Sequence, residues 1–162
     1  MKIRREILTS ILGILLLPVL LTGCGSEDAK GLEVVDAWAR PMAIQEAPGT
    51  AGGGGNSAVY LTLANKGRVA DTLLGGESPV ASRVEIHESF LDGDIMRMRE
   101  VGPLEIDAGE TRTLQPGGLH IMLVGLRESL VAGDTIPLTL RFRREGAREL
   151  RVPVRAMGPG GM

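Results

Sequence analysis

The chain has 162 residues, a length typical of one domain, and a formal net charge of −2 at pH 7. This balance gives no basic surface of the kind that nucleic acid requires, so nucleic acid is excluded as a partner. One Trp, one Tyr and two Phe are the only aromatic residues, so any core must consist mainly of aliphatic side chains.

The N-terminus has the pattern of a secretion signal. A basic start, MKIRRE, precedes an apolar run over residues 7–21, which is shorter than the roughly 20 residues that span a bilayer. The run ends in LTGC, which resembles the lipobox of bacterial lipoproteins, and its Cys24 is the only cysteine in the chain. The sequence therefore predicts a signal peptide over 1–23 and lipidation of Cys24.

A lipidated Cys24 places the mature chain on the outer face of the cytoplasmic membrane or in the periplasm, anchored to a membrane. Attachment through more than one acyl chain is stable, whereas a single chain gives only marginal binding. Residues 24–31 then form a lipidated, polar tether, and residues 157–162 form a flexible tail. An ordinary secretory signal without lipidation is the alternative.

From residue 32 onward the pattern is that of β-strands. LEVVDAWA and SAVYLTLAN are predicted strands, and a Gly-rich loop over 43–56 separates them. Near the end, residues 136–142 and 150–154 alternate apolar and polar side chains with the period of two of half-buried strands. No segment has a long helical pattern. The sequence predicts an all-β sandwich or barrel over residues 32–156.

The segment around the first of the two histidines predicts a β-hairpin. The strand-like run SRVEIH ends at His87, and Asp92-Gly93 follows as a two-residue turn of type I′. In the register that this turn sets, His87 lies directly opposite Met98, and directly opposed side chains share a face.

The second histidine lies in the segment LHIML, where His120 and Met122 are two residues apart and therefore share one face of a strand. Both histidines thus acquire a methionine neighbour. If the two pairs meet, two imidazoles and two thioethers favour Cu(I) over Mg²⁺, Ca²⁺ or Zn²⁺. The alternative is that the methionines fill gaps in a core and the histidines are hydrogen-bonded structural residues.

The spacing of these four residues, H-x10-M-x21-H-x-M, resembles the motif of the periplasmic copper chaperones known as PCu(A)C. The flanking segments DAWARP, YLTLANKG, MRMR, AGET and QPGGLHIMLVGL agree, and the resemblance covers about residues 32–156. It implies a cupredoxin-like Greek-key β-sandwich or barrel. It also implies that one Cu(I) is bound by His87, Met98, His120 and Met122.

The resemblance further implies a metallochaperone, not an enzyme, that delivers copper to the CuA centre in subunit II of cytochrome c oxidase. Another copper chaperone is a second expected partner. A structural or adhesion lipoprotein without metal, and a general periplasmic copper-storage or tolerance protein, remain alternatives. A blue-copper carrier needs a cysteine thiolate, and Cys24 is already assigned to the lipobox.

Further methionines are weaker candidates for copper ligands. Met96 shares a face with Met98, although packing is its expected role, and Met42 lies beside the Gly-rich loop. Some family members carry a methionine directly after the first histidine and a His- and Met-rich tail. Here Glu88 occupies the first position, and the tail offers only Met157 and Met162.

Overall fold

A computed structural model describes residues 31–44 and 54–156, which form ten β-strands and no helix. The strands are β1 (Leu32–Ala39), β2 (Ser57–Asn65), β3 (Asp71–Glu77), β4 (Ala81–Asp92), β5 (Ile95–Glu100), β6 (Leu104–Ile106), β7 (Thr111–Leu114), β8 (Leu119–Leu126), β9 (Thr135–Phe142) and β10 (Ala147–Pro153). The all-β prediction is confirmed. Within the described residues, no helix is long and apolar enough to cross a membrane. The predicted signal peptide, Cys24 and the tail lie outside this part of the chain.

The strands form one sheet that curls almost into a barrel. Its order is β1-β2-β8-β4-β3-β9-β10, and β5, β6 and β7 pair with β4, β3 and β2 respectively. A parallel bridge between Ala39 and Val154 brings the two ends of this order together. The order places β4 next to β8, so two strands that are far apart in the sequence become neighbours.

The aliphatic core fills the barrel interior, and strand alternation explains which side chains enter it. In β9, every second residue from Ile136 to Phe142 is buried, as the period of two predicts. In β8, Ile121 is fully buried and pairs with Ile86 of β4. The flanking residues of β8 therefore point to the opposite, outer face.

Because Ile121 is fully buried, replacing it with alanine should destabilise the protein by about 2–5 kcal/mol. The loss combines the transfer free energy of the removed methyl groups with the cavity that remains. Urea unfolding, followed by the fluorescence of Trp38, measures this change. Val131→Ala is the matched control, since Val131 is 59% exposed and its truncation should change the unfolding free energy little. Equal effects of the two substitutions would contradict this assignment of the core.

The hairpin between β4 and β5 has a different register from the predicted one. Asp92 pairs with Ile95, so Gly93 and Asp94 form the two-residue loop. Gly93 has a φ of 63°, and Asp94 is not among the described residues with positive φ. This pattern is that of a type II′ turn, not type I′. The prediction that His87 lies directly opposite Met98 is therefore wrong: Ser89 lies opposite Met98.

The hairpin extends beyond the barrel as a two-stranded arm. Only the first part of β4, up to Glu88, pairs with β8, whereas its last six residues pair with β5, whose residues are all exposed. One face of the arm carries Leu91, Met96 and Met98. On the other face, charged side chains pair with one another, Asp92 with Arg97 at 2.5 Å and Glu88 with Arg99 at 2.8 Å. The two methionines of the arm therefore lie on the face opposite to these ion pairs.

Candidate metal centre

The two histidines face each other across neighbouring strands. His87 of β4 pairs directly with His120 of β8, and their ring centroids are 6.0 Å apart. Their neighbours Ile86 and Ile121 enter the core, so both imidazoles lie on the outer face of the sheet. Nevertheless, His120 is only 3% exposed. The pairing of β4 with β8 brings together two side chains that are remote in the sequence.

Both predicted methionines lie on the same face as the histidines. Met122 is two residues from His120 along β8 and is half-buried. Met98 lies opposite Ser89 and therefore diagonal to His87, which is within reach of a long side chain. Met98 is 50% exposed, so it lies at the solvent edge of this group.

Each histidine has one ring nitrogen engaged in a hydrogen bond. His87 Nε2 donates to Glu85 Oε2 at 2.9 Å, and His120 Nδ1 donates to the Gly118 carbonyl oxygen at 3.0 Å. Carboxylates and carbonyls accept only, so these nitrogens carry the proton of the neutral ring. The free lone pairs are then those of His87 Nδ1 and His120 Nε2. His87 Nδ1 is buried without any hydrogen-bond partner.

That unpartnered nitrogen is the observation that best fits a bound metal. A buried polar atom without a partner costs about 1–3 kcal/mol, so its retention suggests another ligand. A histidine that binds a metal usually donates its other N–H to a carboxylate or a backbone carbonyl, and the two histidines here show one case of each.

The four proposed ligands on this face are soft or borderline donors, and the carboxylate of Glu85 on the same face is engaged by Arg83 and His87. Among the described residues, no group of three or more His, Cys, Asp or Glu side chains could hold a metal ion. Such groups are typical of Zn²⁺ and of harder cations. Imidazole together with uncharged thioether instead suits Cu(I). The donor set therefore indicates the same metal that the motif spacing indicates.

A small aromatic cluster borders the histidines. Trp38, Ala58 and Tyr60 are buried together, apart from the main core. The Trp38 and Tyr60 rings are 4.6 Å apart, and the Tyr60 ring is 6.2 Å from the His120 ring. This cluster shields His120 from water on one side. The single tryptophan is close enough to serve as a fluorescent reporter of events at His120.

The other candidate methionines lie farther from the histidines. Met96 lies opposite Leu91, nearer the tip of the arm, and is 58% exposed. Met42 is partly buried against the main core. Glu88 points to the opposite face of β4, where it pairs with Arg99. Met157, Met162 and Cys24 lie outside the described residues.

Burial lowers the pKa of His120 below its ordinary value of 6.5. The charged form loses hydration that the protein does not replace. The hydrogen bond to the Gly118 carbonyl opposes this shift, while electrostatic repulsion from His87 and Arg40 adds to it. His120 therefore stays neutral, with a free lone pair, to a lower pH than an exposed histidine would.

This lowered pKa predicts that the metal-free protein loses stability in acid. Below about pH 6.5 the unfolded chain binds a proton at this histidine, whereas the folded protein binds it only at a lower pH. The free energy of unfolding therefore decreases as the pH is lowered from about 6.5 to the pKa of His120 in the folded protein. His120→Asn can still donate to Gly118 but does not titrate. Thermal melts from pH 7.5 to 5 should show a smaller loss of Tm in this variant than in the wild type. Identical profiles would contradict the prediction.

Comparison with known proteins identifies the family of the chain. The family model described as "Putative lipoprotein LpqE-like" matches residues 32–154. The chain belongs to this family. A relative from Leifsonia xyli subsp. xyli, described as "Putative lipoprotein Lxx21020", is 33% identical over 146 residues, which cover 83% of this chain and 82% of that protein.

Solved PCuAC domains share the fold of this LpqE-like protein. The copper-bound PCuAC domain from PmoF2 matches with a TM-score of 0.61 and 19% identity, covering 80% of this chain and 96% of that one. The solution structure of CuI-DR1885 from Deinococcus radiodurans matches with a TM-score of 0.56 and 29% identity, covering 79% and 82%. The cupredoxin-like fold and the resemblance to PCu(A)C proteins are confirmed.

Glu85, which was not predicted from the sequence, also lies beside the histidines of this LpqE-like protein. This residue lies two positions before His87 on the same strand, directly opposite Met122. The rule that side chains two apart share a face, already applied to His120 and Met122, would have found it. The aromatic cluster was also missed, because it depends on how β1 pairs with β2.

Proposed function

We propose that this LpqE-like protein is an extracytoplasmic Cu(I) metallochaperone that holds copper with His87, Met98, His120 and Met122. The observation that carries the proposal is the direct pairing of the two histidines, each with one nitrogen hydrogen-bonded, and with the other nitrogen of His87 buried and without a partner. The two methionines on the same face supply the soft donors that distinguish a Cu(I) site from a zinc site.

A chaperone must release its metal as well as bind it, and the exposure of the ligands supports such a role. His120 is buried, whereas Met98 is half exposed on the projecting arm. A receiving protein therefore reaches Met98 first and replaces the ligands stepwise from the solvent side. Neutral thioethers suit this exchange because no charge has to be separated when one of them leaves.

The proposed recipient is the CuA centre in subunit II of cytochrome c oxidase, and another copper chaperone is a further candidate partner. We propose that residues 1–23 are removed and that lipidation of Cys24 anchors the protein to a membrane. The protein then lies on the outer face of the cytoplasmic membrane or in the periplasm. Residues 24–31 would then tether the copper-binding domain, residues 32–156, near a membrane-bound oxidase.

The test combines binding with transfer under anaerobic conditions. Cu(I) is titrated into the protein against a chromophoric Cu(I) chelator while Trp38 fluorescence is recorded. We expect one Cu(I) per chain and quenching of Trp38. The loaded protein is then mixed with the soluble CuA domain of subunit II, the two proteins are separated, and the copper in each is measured. Copper should move to that domain.

The alternatives give different results. A structural or adhesion lipoprotein would retain no Cu(I). A storage or tolerance protein would retain Cu(I) without passing it to the CuA domain. Oxidase assembly would be contradicted if copper moved to the CuA domain no faster than from a copper–chelator complex of equal affinity.

A further inference from the structure

Three side chains form a row on the site face of β4. Arg83, Glu85 and His87 are spaced two residues apart and therefore point the same way. Arg83 Nη1 lies 3.1 Å from Glu85 Oε1, and His87 Nε2 lies 2.9 Å from Glu85 Oε2. The side chains of Glu85 and His87 are each 16% exposed, so water competes only weakly for this hydrogen bond. Both oxygens of Glu85 are thus engaged.

The position of Glu85 in the fold lets it fix the orientation of the His87 ring. His87 lies where β4 leaves the barrel and continues into the exposed arm. Glu85 lies in the part of β4 that pairs with β8, directly opposite Met122. Its hydrogen bond therefore holds the His87 ring against the rigid barrel and not against the arm. A fixed ring direction is what a ligand needs if it must meet donors from another strand.

We infer that Glu85 is a positioning residue that makes His87 bind Cu(I) through Nδ1, whereas His120 binds through Nε2. This inference rests on the proposed function. Glu85 accepts the proton-bearing Nε2 of His87, which leaves the buried, unpartnered Nδ1 for the metal. The Gly118 carbonyl oxygen accepts a hydrogen bond from Nδ1 of His120, which leaves Nε2 of that ring for the metal. The site is asymmetric because the two rings have different outer partners.

Nuclear magnetic resonance tests the choice of nitrogen directly, because Cu(I) is diamagnetic. Long-range proton–nitrogen correlation spectra of the ¹⁵N-labelled, Cu(I)-loaded protein identify which nitrogen of each ring carries the proton. We expect the proton on Nε2 of His87 and on Nδ1 of His120. A Cu(I)-loaded protein with His87 protonated at Nδ1 would overturn the inference, and this result needs no variant.

Substitution tests the role of the carboxylate. Glu85→Ala should weaken Cu(I) binding by about 10–100-fold, the usual effect of losing an outer partner of a metal-binding histidine. Glu88→Ala is the matched control: it removes a carboxylate from the same strand, and Glu88 pairs with Arg99 on the opposite face. Its affinity should remain that of the wild type. If both variants lost the same Cu(I) affinity, the loss would come from removing a negative charge and not from the hydrogen bond to His87. That result would overturn the inference.

A conservative variant separates hydrogen bonding from charge. Glu85→Gln keeps an acceptor oxygen at the same reach and should lose less affinity than Glu85→Ala. If both variants lost the same affinity, the hydrogen bond to His87 would not be the cause and the inference would fail. Failure of the wild type to bind Cu(I) would instead overturn the proposed function, so the two failures are distinguishable.

Discussion

Replacing His120 with alanine should reduce the affinity for Cu(I) by more than about 100-fold. Loss of a residue that only hydrogen-bonds to a metal-binding histidine reduces affinity roughly 10–100-fold, and this substitution removes a ligand itself. His120 is the most enclosed of the four proposed ligands, and its pKa is lowered by burial, so its lone pair is available throughout the neutral range. Competition with a chromophoric Cu(I) chelator under anaerobic conditions measures the change.

A control must separate the loss of a ligand from damage to the strand that carries it. Ile121→Val changes the next residue of β8, which faces the core, and should cost about 0.5–1.5 kcal/mol of stability. Its Cu(I) affinity should stay that of the wild type. Wild-type affinity in His120→Ala would contradict the proposed ligand set, as would a loss of the same size in Ile121→Val.

The faces of the strands could be predicted from the sequence better than their registers. His120 and Met122 share a face in any pairing, because side chains alternate strictly along a strand. The hairpin register depends on which two residues form the turn, and LDGD permits Asp92-Gly93 or Gly93-Asp94. The observed turn moves the pairing so that Met98 is diagonal to His87, yet it leaves both on one face. The shared face was therefore predicted correctly although the opposed pair was wrong.

The pairing of His87 with His120 could not be predicted from local pattern. The two strands are neighbours only because the sheet order places β8 beside β4, and no periodicity reports such a long-range contact. Only the motif spacing, through its resemblance to PCu(A)C proteins, indicated that the two His–Met pairs meet. The alternation of side chains along a strand places each His–Met pair on one face, but it does not give the distance between the two pairs.

The aromatic cluster beside His120 could not be predicted either, because it also depends on how two strands pair. The register between β1 and β2 shifts between Val35 and Trp38, and Asp36 within this irregularity has a φ of 53°. Such a bulge changes which face the following residues occupy. Trp38 consequently packs with Tyr60, outside the main core. Nothing in the segment EVVDAWA distinguishes this bulged strand from a regular one.

Met98→Ala should weaken Cu(I) binding on the order of tenfold or more, a change of about 1.4 kcal/mol or more in binding free energy, whereas Met96→Ala should change it much less. The two methionines are a matched pair, because they lie on the same strand and face and are 50% and 58% exposed. Exposure and hydrophobicity therefore do not separate them. Position does: Met96 lies two residues, about 7 Å, farther along the arm from His87.

Met122→Ala completes the comparison and should also weaken binding, since Met122 lies on the barrel beside His120. Affinities for all three variants come from the same chelator competition, and urea unfolding checks that each remains folded. Equal losses from Met96→Ala, Met98→Ala and Met122→Ala would contradict specific coordination, because a general role in packing is the property that all three share. A loss confined to Met96→Ala would place the copper ligand nearer the tip of the arm, beyond the reach of His120.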